Sequence, residues 1–394
     1  IGLVGSEMCI RDRNHSEVVD LWTRASKMYL RAAVNQREKK EIGPFQGVLL
    51  ATGHWSESRQ FENYFSSPWP AEKLRSAIPP GAAVGVIGSS LSAIETALTL
   101  TADGQFHRHA SGRLTYKKPD VSRSITLFSR RGLLPQVRGR IGNRRNRYFT
   151  CARLRELIVA YHGQVRLKEI FDPFDRELSE AYGASIDWQQ VTAPEAAPAD
   201  LLRQSIDRAL KGDGPGGELV WQTVLVQIFP IVRELYLALS DSERHRFDRE
   251  FNTLFFMHAA TQPAINAEKL LALMEAGVVA VTTLGKDYRF VHNESSHQFE
   301  FYYETPGGQR RCATFTYCVD ARGQPRSLET DSSELTRNLI QRGLVQIDPG
   351  DGERGKSAAR GSLLIDPLTH RVVQPDSENG KNSNLDLFAV GAMT

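Results

Sequence analysis

The chain has 394 residues, 41% of them hydrophobic, with a formal net charge of +3. At ~100–200 residues per domain this predicts two or three domains with ample core material. The small net charge gives no case for nucleic acid or an anionic membrane surface, and the most apolar run, residues 219–232, is interrupted by Trp221, Gln222, Thr223 and Gln227 and is too short to span a bilayer.

In chain order, residues 1–13 include Val4-Gly5-Ser6-Glu7-Met8-Cys9-Ile10-Arg11-Asp12-Arg13. This is similar to adaptor-derived read-through at the ends of reading frames from assembled metagenomic sequence, and the segment is set aside as non-native. Residues 17–24 and 27–34, rich in Val, Leu, Trp and Tyr, read as two strands, with a charged turn at 37–41. Residues 47–54 read as a buried strand ending at a glycine. Residues 55–82, punctuated by Pro68, Pro70, Pro79 and Pro80, read as loop.

Val84-Gly85-Val86-Ile87 reads as a buried parallel strand, Gly88-Ser89-Ser90 as a tight turn, and a helix runs on to about Thr101. That is the strand–turn–helix opening of a dinucleotide-binding unit, spaced G-x-S-x-x-A where the usual fingerprint is G-x-G-x-x-G/A. Gly88 permits the sharp turn. A small residue at 90 lets a pyrophosphate approach the backbone, although Ser90 puts a side chain where glycine is usual. Ala93 lets helix and strand pack closely, and the N–H groups at the helix start face the phosphates. Ser92 and Glu95 fit a capping box, which gives Glu95 a structural role. Residues 103–124 read as an excursion rich in Gly, His and Lys, and 124–129 as the next strand. Arg130 and Arg131 follow that strand. In this position an acid binds the ribose hydroxyls of NAD, whereas arginine favours the 2′-phosphate of NADP; Ser129 adds a hydrogen bond.

From 151 to 264 apolar residues such as Leu154, Leu157, Ile158 and Tyr161 recur at helical spacing, and the block reads as an insertion into the βαβ pattern. Residues 266–276 read as a helix capped by Asn266 and stopped by Gly277. Strands are expected at 278–283, 288–292, 298–304 and 313–320, with Pro306-Gly307-Gly308 as a hairpin turn. A helix at 333–342 and strands at 363–366 and 385–390 follow. Cys312 and Cys318 share parity, so on one strand they share a face; they and Cys151 read as small side chains in a reduced cytoplasm. The absence of C-x-x-C argues against a disulfide reductase. His54, His258 and His292 have no metal-ligand spacing, and no nucleophile elbow is present, so no catalytic residue and no metal ligand are assigned.

Four separated pieces resemble one family. Val48-Leu49-Leu50-Ala51-Thr52-Gly53-His54 resembles the "ATG" strand-end of two-dinucleotide flavoproteins. Gly88-Ser89-Ser90-Leu91-Ser92-Ala93 resembles their second, NADPH-binding turn. Tyr317-Cys318-Val319-Asp320-Ala321-Arg322-Gly323 resembles the strand that re-enters the flavin domain, and Leu387-Phe388-Ala389-Val390-Gly391 the late strand whose glycine lies near the flavin. In this order the chain resembles FAD/NAD(P)-binding proteins related to FAD-dependent urate hydroxylase and, more remotely, to N-hydroxylating flavin monooxygenases.

The resemblance implies an α/β, Rossmann-like two-dinucleotide-binding flavoprotein fold with a helical insertion. Residues 14–55 are then the remnant of an FAD-binding domain and 80–150 with 265–318 an NAD(P)H-binding domain. Residues 151–264 are the insertion, and 319–394 the return to the FAD-binding domain. FAD and NADPH are the implied cofactors. Gly88, Ser89, Ser90, Leu91, Ser92, Ser129, Arg130 and Arg131 are assigned to NADPH. Thr52, Gly53, His54, Asp320, Gly323 and Gly391 are assigned to the domain crossings and the flavin side, with Asp320 capping a turn. The implied activity is hydride transfer from NADPH to flavin in a cytoplasmic, monooxygenase-like oxidoreductase acting on an unidentified small molecule. A flavin-dependent dehydrogenase that does not use oxygen, and a non-catalytic dinucleotide-binding regulator, are the alternatives. The family's first G-x-G-x-x-G, which binds the FAD diphosphate, is not in the sequence. The resemblance places it upstream of residue 14, so the chain is expected to be an inactive fragment of a longer protein.

Overall fold

The structure, a computed structural model, describes residues 15–35, 38–53, 61–285, 287–305, 307–323, 328, 331–347, 361–366, 369–374 and 385–391. The chain divides into two units, one made of Ile1–Ser58 and Gln324–Thr394 and the other of Arg59–Gly323. In the first unit β1 (Ser16–Arg24), β2 (Lys27–Val34) and β3 (Glu38–Phe45) form an antiparallel sheet in that order. The charged turn expected at 37–41 is instead the start of an outer strand. Glu38, Lys39, Lys40 and Glu41 are all exposed there, and charge on a sheet edge deters further strand addition. β4 (Gly47–Leu50) is shorter than expected, and of its residues only Leu50 is buried.

The second unit opens with β5 (Tyr64–Phe65) and α1 (Ala71–Ala77), inside the stretch read as loop. β6 (Ala83–Ile87) and α2 (Leu91–Leu100) follow. The excursion is a hairpin of β7 (Gln105–Arg108) and β8 (Leu114–Lys117), and β9 (Ser124–Ser129) comes next. The helical block holds α3 (Cys151–Ala160), α4 (Leu167–Tyr182), α5 (Trp188–Thr192), α6 (Pro198–Lys211), α7 (Val220–Val226), α8 (Val232–Leu237), α9 (Asp241–Arg246) and α10 (Asn252–Ala259). A π-helical turn, Phe247–Phe251, joins the last two. α11 (Ala264–Glu275) leads into β10 (Val279–Thr283). Its cap is Pro263, not Asn266, because the helix starts two residues earlier than read. β11 (Arg289–Asn293), β12 (Gln298–Glu304) and β13 (Arg310–Phe315) form an antiparallel meander before β14 (Tyr317–Asp320). Gly308 closes the β12–β13 turn onto Thr305; Pro306 lies outside the described residues. The chain then returns to the first unit with α12 (Glu334–Gln341), capped by Ser333, and β15 (Asp386–Ala389), which pairs with β4 in parallel. Residues 363–366 make isolated bridges rather than a strand.

β10, β9, β6, β14 and β5 form one sheet in that order, and every adjacent pair in it is parallel. This is a Rossmann-like α/β sheet. Alternation sorts its two faces. Val84, Val86, Ile125, Leu127 and Val319 pack with Ala93, Ile94 and Ala97 of α2 and Leu270 and Leu273 of α11. Ile87, Phe128 and Cys318 point the other way, into the aromatic layer of Phe299, Phe301 and Phe315. Phe128 and Phe301 stack with ring centroids 4.2 Å apart. Gly85 belongs to this second face, where an added Cβ would lie 3.1 Å from both Phe301 and Phe315. The single strand expected over 313–320 breaks between β13 and β14, so the two cysteines go to different sheets. Cys312 is exposed and Cys318 buried.

The helical insertion explains the polar residues that interrupt the apolar run at 219–232. After β9 the chain crosses the insertion as irregular backbone, and buried N–H groups there need acceptors. Gln222 Oε1 accepts from Gly139 N at 3.1 Å, Thr223 Oγ1 from Gly142 N at 2.9 Å, and Gln227 Oε1 from Asn146 N at 3.0 Å. Farther along, Glu177 of α4 is fully buried. It accepts from the backbone N–H of Arg147 (2.7 Å), Tyr148 (2.7 Å) and Phe149 (3.2 Å) and from the Arg144 guanidinium (3.2 Å). Burial alone pushes its pKa up, but these donors outweigh it and hold the carboxyl below the ordinary value.

Glu177→Gln should therefore destabilise the second unit by roughly 2–4 kcal/mol, because it leaves buried N–H groups poorly paired. The sign with pH follows from the lowered folded pKa. The contribution is complete above the unfolded carboxylate value of about 4.3 and is lost as pH falls through the lower folded value. Unfolding midpoints of parent and variant should differ by a constant amount at neutral pH and converge in acid.

Candidate functional site

β6 and β14 lie side by side with Ile87 opposite Asp320, so the chain leaves both strands at one edge of the sheet. The strand order reverses here, with β9 and β10 on one side of β6 and β14 and β5 on the other. Such a reversal opens the crevice in which α/β sheets bind ligands. Gly88 turns the chain at φ +123°, and its N–H donates to Phe128 O at 2.7 Å. An added Cβ would lie 3.1 Å from Ala321 O and 3.4 Å from Arg322 N, so the turn runs against the backbone leaving β14.

Ser90 is the N-cap of α2, is exposed, and makes no side-chain cap bond. The first-turn N–H groups of Leu91, Ser92 and Ala93 have no intrahelical partner in this geometry and open toward the crevice end of the sheet. Ala93 is fully buried between helix and strand. Since Ser90 is the cap, the capping box assigned to Ser92 and Glu95 does not form; Ser92 lies inside the helix and Glu95 is exposed. Ser89 turns inward instead of toward a ligand. It is buried, and its Oγ donates to Leu133 O at 2.7 Å.

At the end of β9, Ser129 Oγ accepts from Gly132 N at 2.9 Å. Arg130 is exposed and has no side-chain partner among the described residues. Arg131 donates to Glu250 O at 2.7 Å, which ties it to the π-helical turn of the insertion. On the other side of Gly88, Asp320 accepts from Arg322 N (3.1 Å), three times from the Arg322 guanidinium (3.0, 3.2 and 2.6 Å), and from Tyr64 OH (3.1 Å). It caps its own turn, as its sequence position suggested. Burial and then the Asp320 charge push the Tyr64 phenol far above its ordinary value, so it stays protonated and donating. Gly323 follows in open space at φ +100°. Tyr64 and Arg322 are the additions that sequence reading missed. Tyr64 lay in a presumed loop, and only the pairing of β5 with β14 brings it beside Asp320.

In the first unit, β4 and β15 pair with Leu50 opposite Ala389, and Val390 N donates to Leu50 O at 2.9 Å. Thr52 and Gly53 thus leave the same sheet end as Gly391. Gly53 (φ +68°) and Gly391 (φ +98°) both have open space where a Cβ would be. His54 lies outside the described residues. Among the described residues no group of His, Cys, Asp and Glu is placed to hold a metal ion.

No protein-family model matches the chain. A curated relative, the uncharacterized protein YdhS of Escherichia coli, is 25% identical over 322 residues, covering 74% of this chain and 56% of that protein. Among solved structures, reduced ornithine hydroxylase from Pseudomonas aeruginosa aligns with TM-score 0.36 and 11% identity over 95% of this chain and 63% of its own. The FAD-bound cadaverine monooxygenase of desferrioxamine biosynthesis from Erwinia amylovora aligns with TM-score 0.37 and 12% identity over 95% and 61%. The ornithine N-hydroxylase of Kutzneria sp. 744, with reduced FAD, NADP+ and L-ornithine, aligns with TM-score 0.34 and 10% identity over 95% and 64%. The chain spans 56% of the length of the curated relative and under two thirds of each of these structures.

The two glycine environments give a paired test. Gly88→Ala must place a methyl at φ +123° against Ala321 and should lower stability by roughly 2–3 kcal/mol. Gly53→Ala meets only the backbone preference at φ +68° and should cost about 1 kcal/mol. Denaturant unfolding of the two variants against the parent checks the difference.

Proposed function

We propose that this chain is the nucleotide-handling part of an FAD- and NADPH-dependent oxidoreductase of monooxygenase type. The observation that carries the reading is the Gly88–Leu91 turn, seated where the strand order reverses and opening onto the first turn of α2. The residues fit a nucleotide diphosphate. A Cβ at 88 would fill the space against Ala321, and the helix start offers backbone donors to an anion. Gly88, Ser90 and Leu91 would hold the pyrophosphate, with Ser92 beside them. Ser89 supports the turn from behind through Leu133. Arg130 takes the 2′-phosphate of NADPH, while Ser129 shapes the turn before Gly132. Arg131, held by Glu250, fixes the loop to the insertion.

NADPH, when bound, supplies a hydride; the chain's own residues bind and orient it. Asp320, itself held by Tyr64 OH, holds Arg322 at the far wall of the crevice, and Gly323 lets the chain leave without obstructing it. For FAD the fit is incomplete. Thr52, Gly53 and Gly391 provide a glycine-lined strand end, as the family resemblance implies. The described residues of the first unit contain no glycine turn that leads from a strand into a helix, so no diphosphate cradle is seen there and no step through flavin is derived. The substrate is a small molecule. Among the described residues no helix is long and apolar enough to cross a membrane.

Ser90→Glu keeps a polar N-cap but places bulk and negative charge at the closest approach of the pyrophosphate. NADPH affinity should fall by more than about tenfold with the melting temperature nearly unchanged. Unchanged affinity in that variant removes the assignment. Arg130→Ala should weaken NADPH about tenfold and leave NADH nearly untouched, since a charge-assisted phosphate contact is lost. Arg131→Ala should lower the melting temperature without changing the NADPH-to-NADH ratio. Fluorescence titration with both nucleotides measures all three.

A further inference from the structure

The helical insertion contains a cleft of about 850 Å³ that no cofactor assignment uses. Its size lies within the range of small-molecule sites. The segment after β9 forms part of its floor through Leu133, the residue that Ser89 grips from the nucleotide turn. Leu202 and Met257, both buried, extend the apolar floor. One wall is a ring pair, with the His258 imidazole stacked on the Trp221 indole at a centroid distance of 3.9 Å and an interplanar angle of 20°.

The polar groups are arranged unevenly. His258 is only 9% exposed, and no hydrogen bond to its ring nitrogens is found among the described residues. Burial first, and then the charge of Arg208, push its pKa down to about 3, so the ring is neutral and keeps one N–H. Arg208 lines the same cleft and spends one bond, from Nη2 to Gln136 Oε1 at 3.2 Å. Ser205 Oγ donates to that same oxygen at 2.9 Å, which fixes the Gln136 amide. The two carboxylates at the rim are Asp187 and Glu195. Asp187 is committed to capping α5 through Gln190 N at 3.0 Å, and Glu195 is exposed on the loop before α6. A guanidinium with unspent donors therefore shares a half-apolar cleft with an imidazole that has no partner. An anion between them satisfies both, and a flat ring behind it fills the apolar floor.

We propose that this cleft binds a small planar carboxylate, an aryl or heteroaryl acid whose ring packs against Trp221, Leu133 and Met257 and whose carboxylate is held by Arg208 and the His258 N–H. The site does not rest on the oxidoreductase reading, since none of its contacts requires a nucleotide at Gly88.

The test uses the full chain without nucleotide, titrated with 2-naphthoate and with neutral 2-naphthamide, by calorimetry and tryptophan fluorescence. Naphthoate should bind saturably and quench fluorescence, and naphthamide should bind about tenfold more weakly. Arg208→Gln, at an exposed side chain, should lose about tenfold in naphthoate affinity and little for naphthamide. His258→Phe keeps the stacked ring while removing the N–H, and should show the same selective loss. If His258→Phe fails to fold, Arg208→Gln alone decides. Failure of naphthoate to saturate below about 10 mM, equal binding of the amide, or an Arg208→Gln variant as tight as the parent overturns the proposal.

Discussion

The structure of the second unit depends on one close approach, the passage of Gly88 beneath the backbone leaving β14. Ile87 pairs with Asp320 and with Phe128, so β6 is hydrogen-bonded on both sides up to its last residue. The chain has to turn at once, within the width left by Ala321 and Arg322, and only a residue without a Cβ fits at φ +123°. That turn sets where α2 starts and therefore where its free N–H groups point. It also sets the Asp320–Arg322 turn as the opposite wall of the crevice. The second close approach, Gly85 under Phe301 and Phe315, lets the aromatic meander lie flat on the same strand. Two small residues three apart on β6 and its turn thus admit the meander and the crevice, while Val84 and Val86, on either side of Gly85, anchor the helical face.

What the sequence made legible was local. The strand–turn–helix from 84 to 101 is coded by an unbroken apolar run, one glycine and a helix-forming stretch, and its boundaries come out almost as read. The insertion was legible for the same reason, as helical periodicity within the βαβ pattern. Two strand readings failed where local propensity carried no boundary. Residues 310–320 are strand-forming throughout, so the break at Thr316 that sends β13 and β14 to different sheets has no local mark. The charges of 38–41 resembled a turn because an outer strand exposed on both faces lacks the alternation that identifies a half-buried one.

The site shows the same limit more sharply. Gly88 and Ala93 could be given roles from spacing alone, because each role concerns the residue's own turn. Arg131 could not be told from Arg130, because what separates them is a carbonyl more than a hundred residues away on a π-helical turn. Tyr64 escaped notice because β5 is only two residues long and joins the sheet through long-range pairing with β14. His258 was an ordinary histidine in sequence. Its burial, its stacking on Trp221 and its place in a cleft exist only after α7 and α10 are brought together.

The stretch from Ser129 to Asn146 links these features, and its physical demand explains much of the insertion's composition. It leaves β9 as irregular backbone, buried at 132–135 and 137 and half-buried at several later positions, so its inward N–H groups need acceptors that no continuous sheet neighbour supplies. Met257 O and the side chains of Ser205, Gln222, Thr223 and Gln227 serve as acceptors in turn. Side-chain acceptors have one advantage over a strand for this purpose, since they can follow an irregular path. They also have a consequence for residue choice. Polar groups must sit inside an otherwise apolar helical core, which is why the most apolar run of the chain carries Gln222, Thr223 and Gln227. Because Leu133 in this stretch is held by Ser89, and Ser205 and Gln136 also border the cleft, the Gly88 turn and the cleft share one covalent support. The two adjacent arginines at its head divide the work. Arg131 fastens the support to the insertion, and Arg130 is left unpaired among the described residues, beside the crevice.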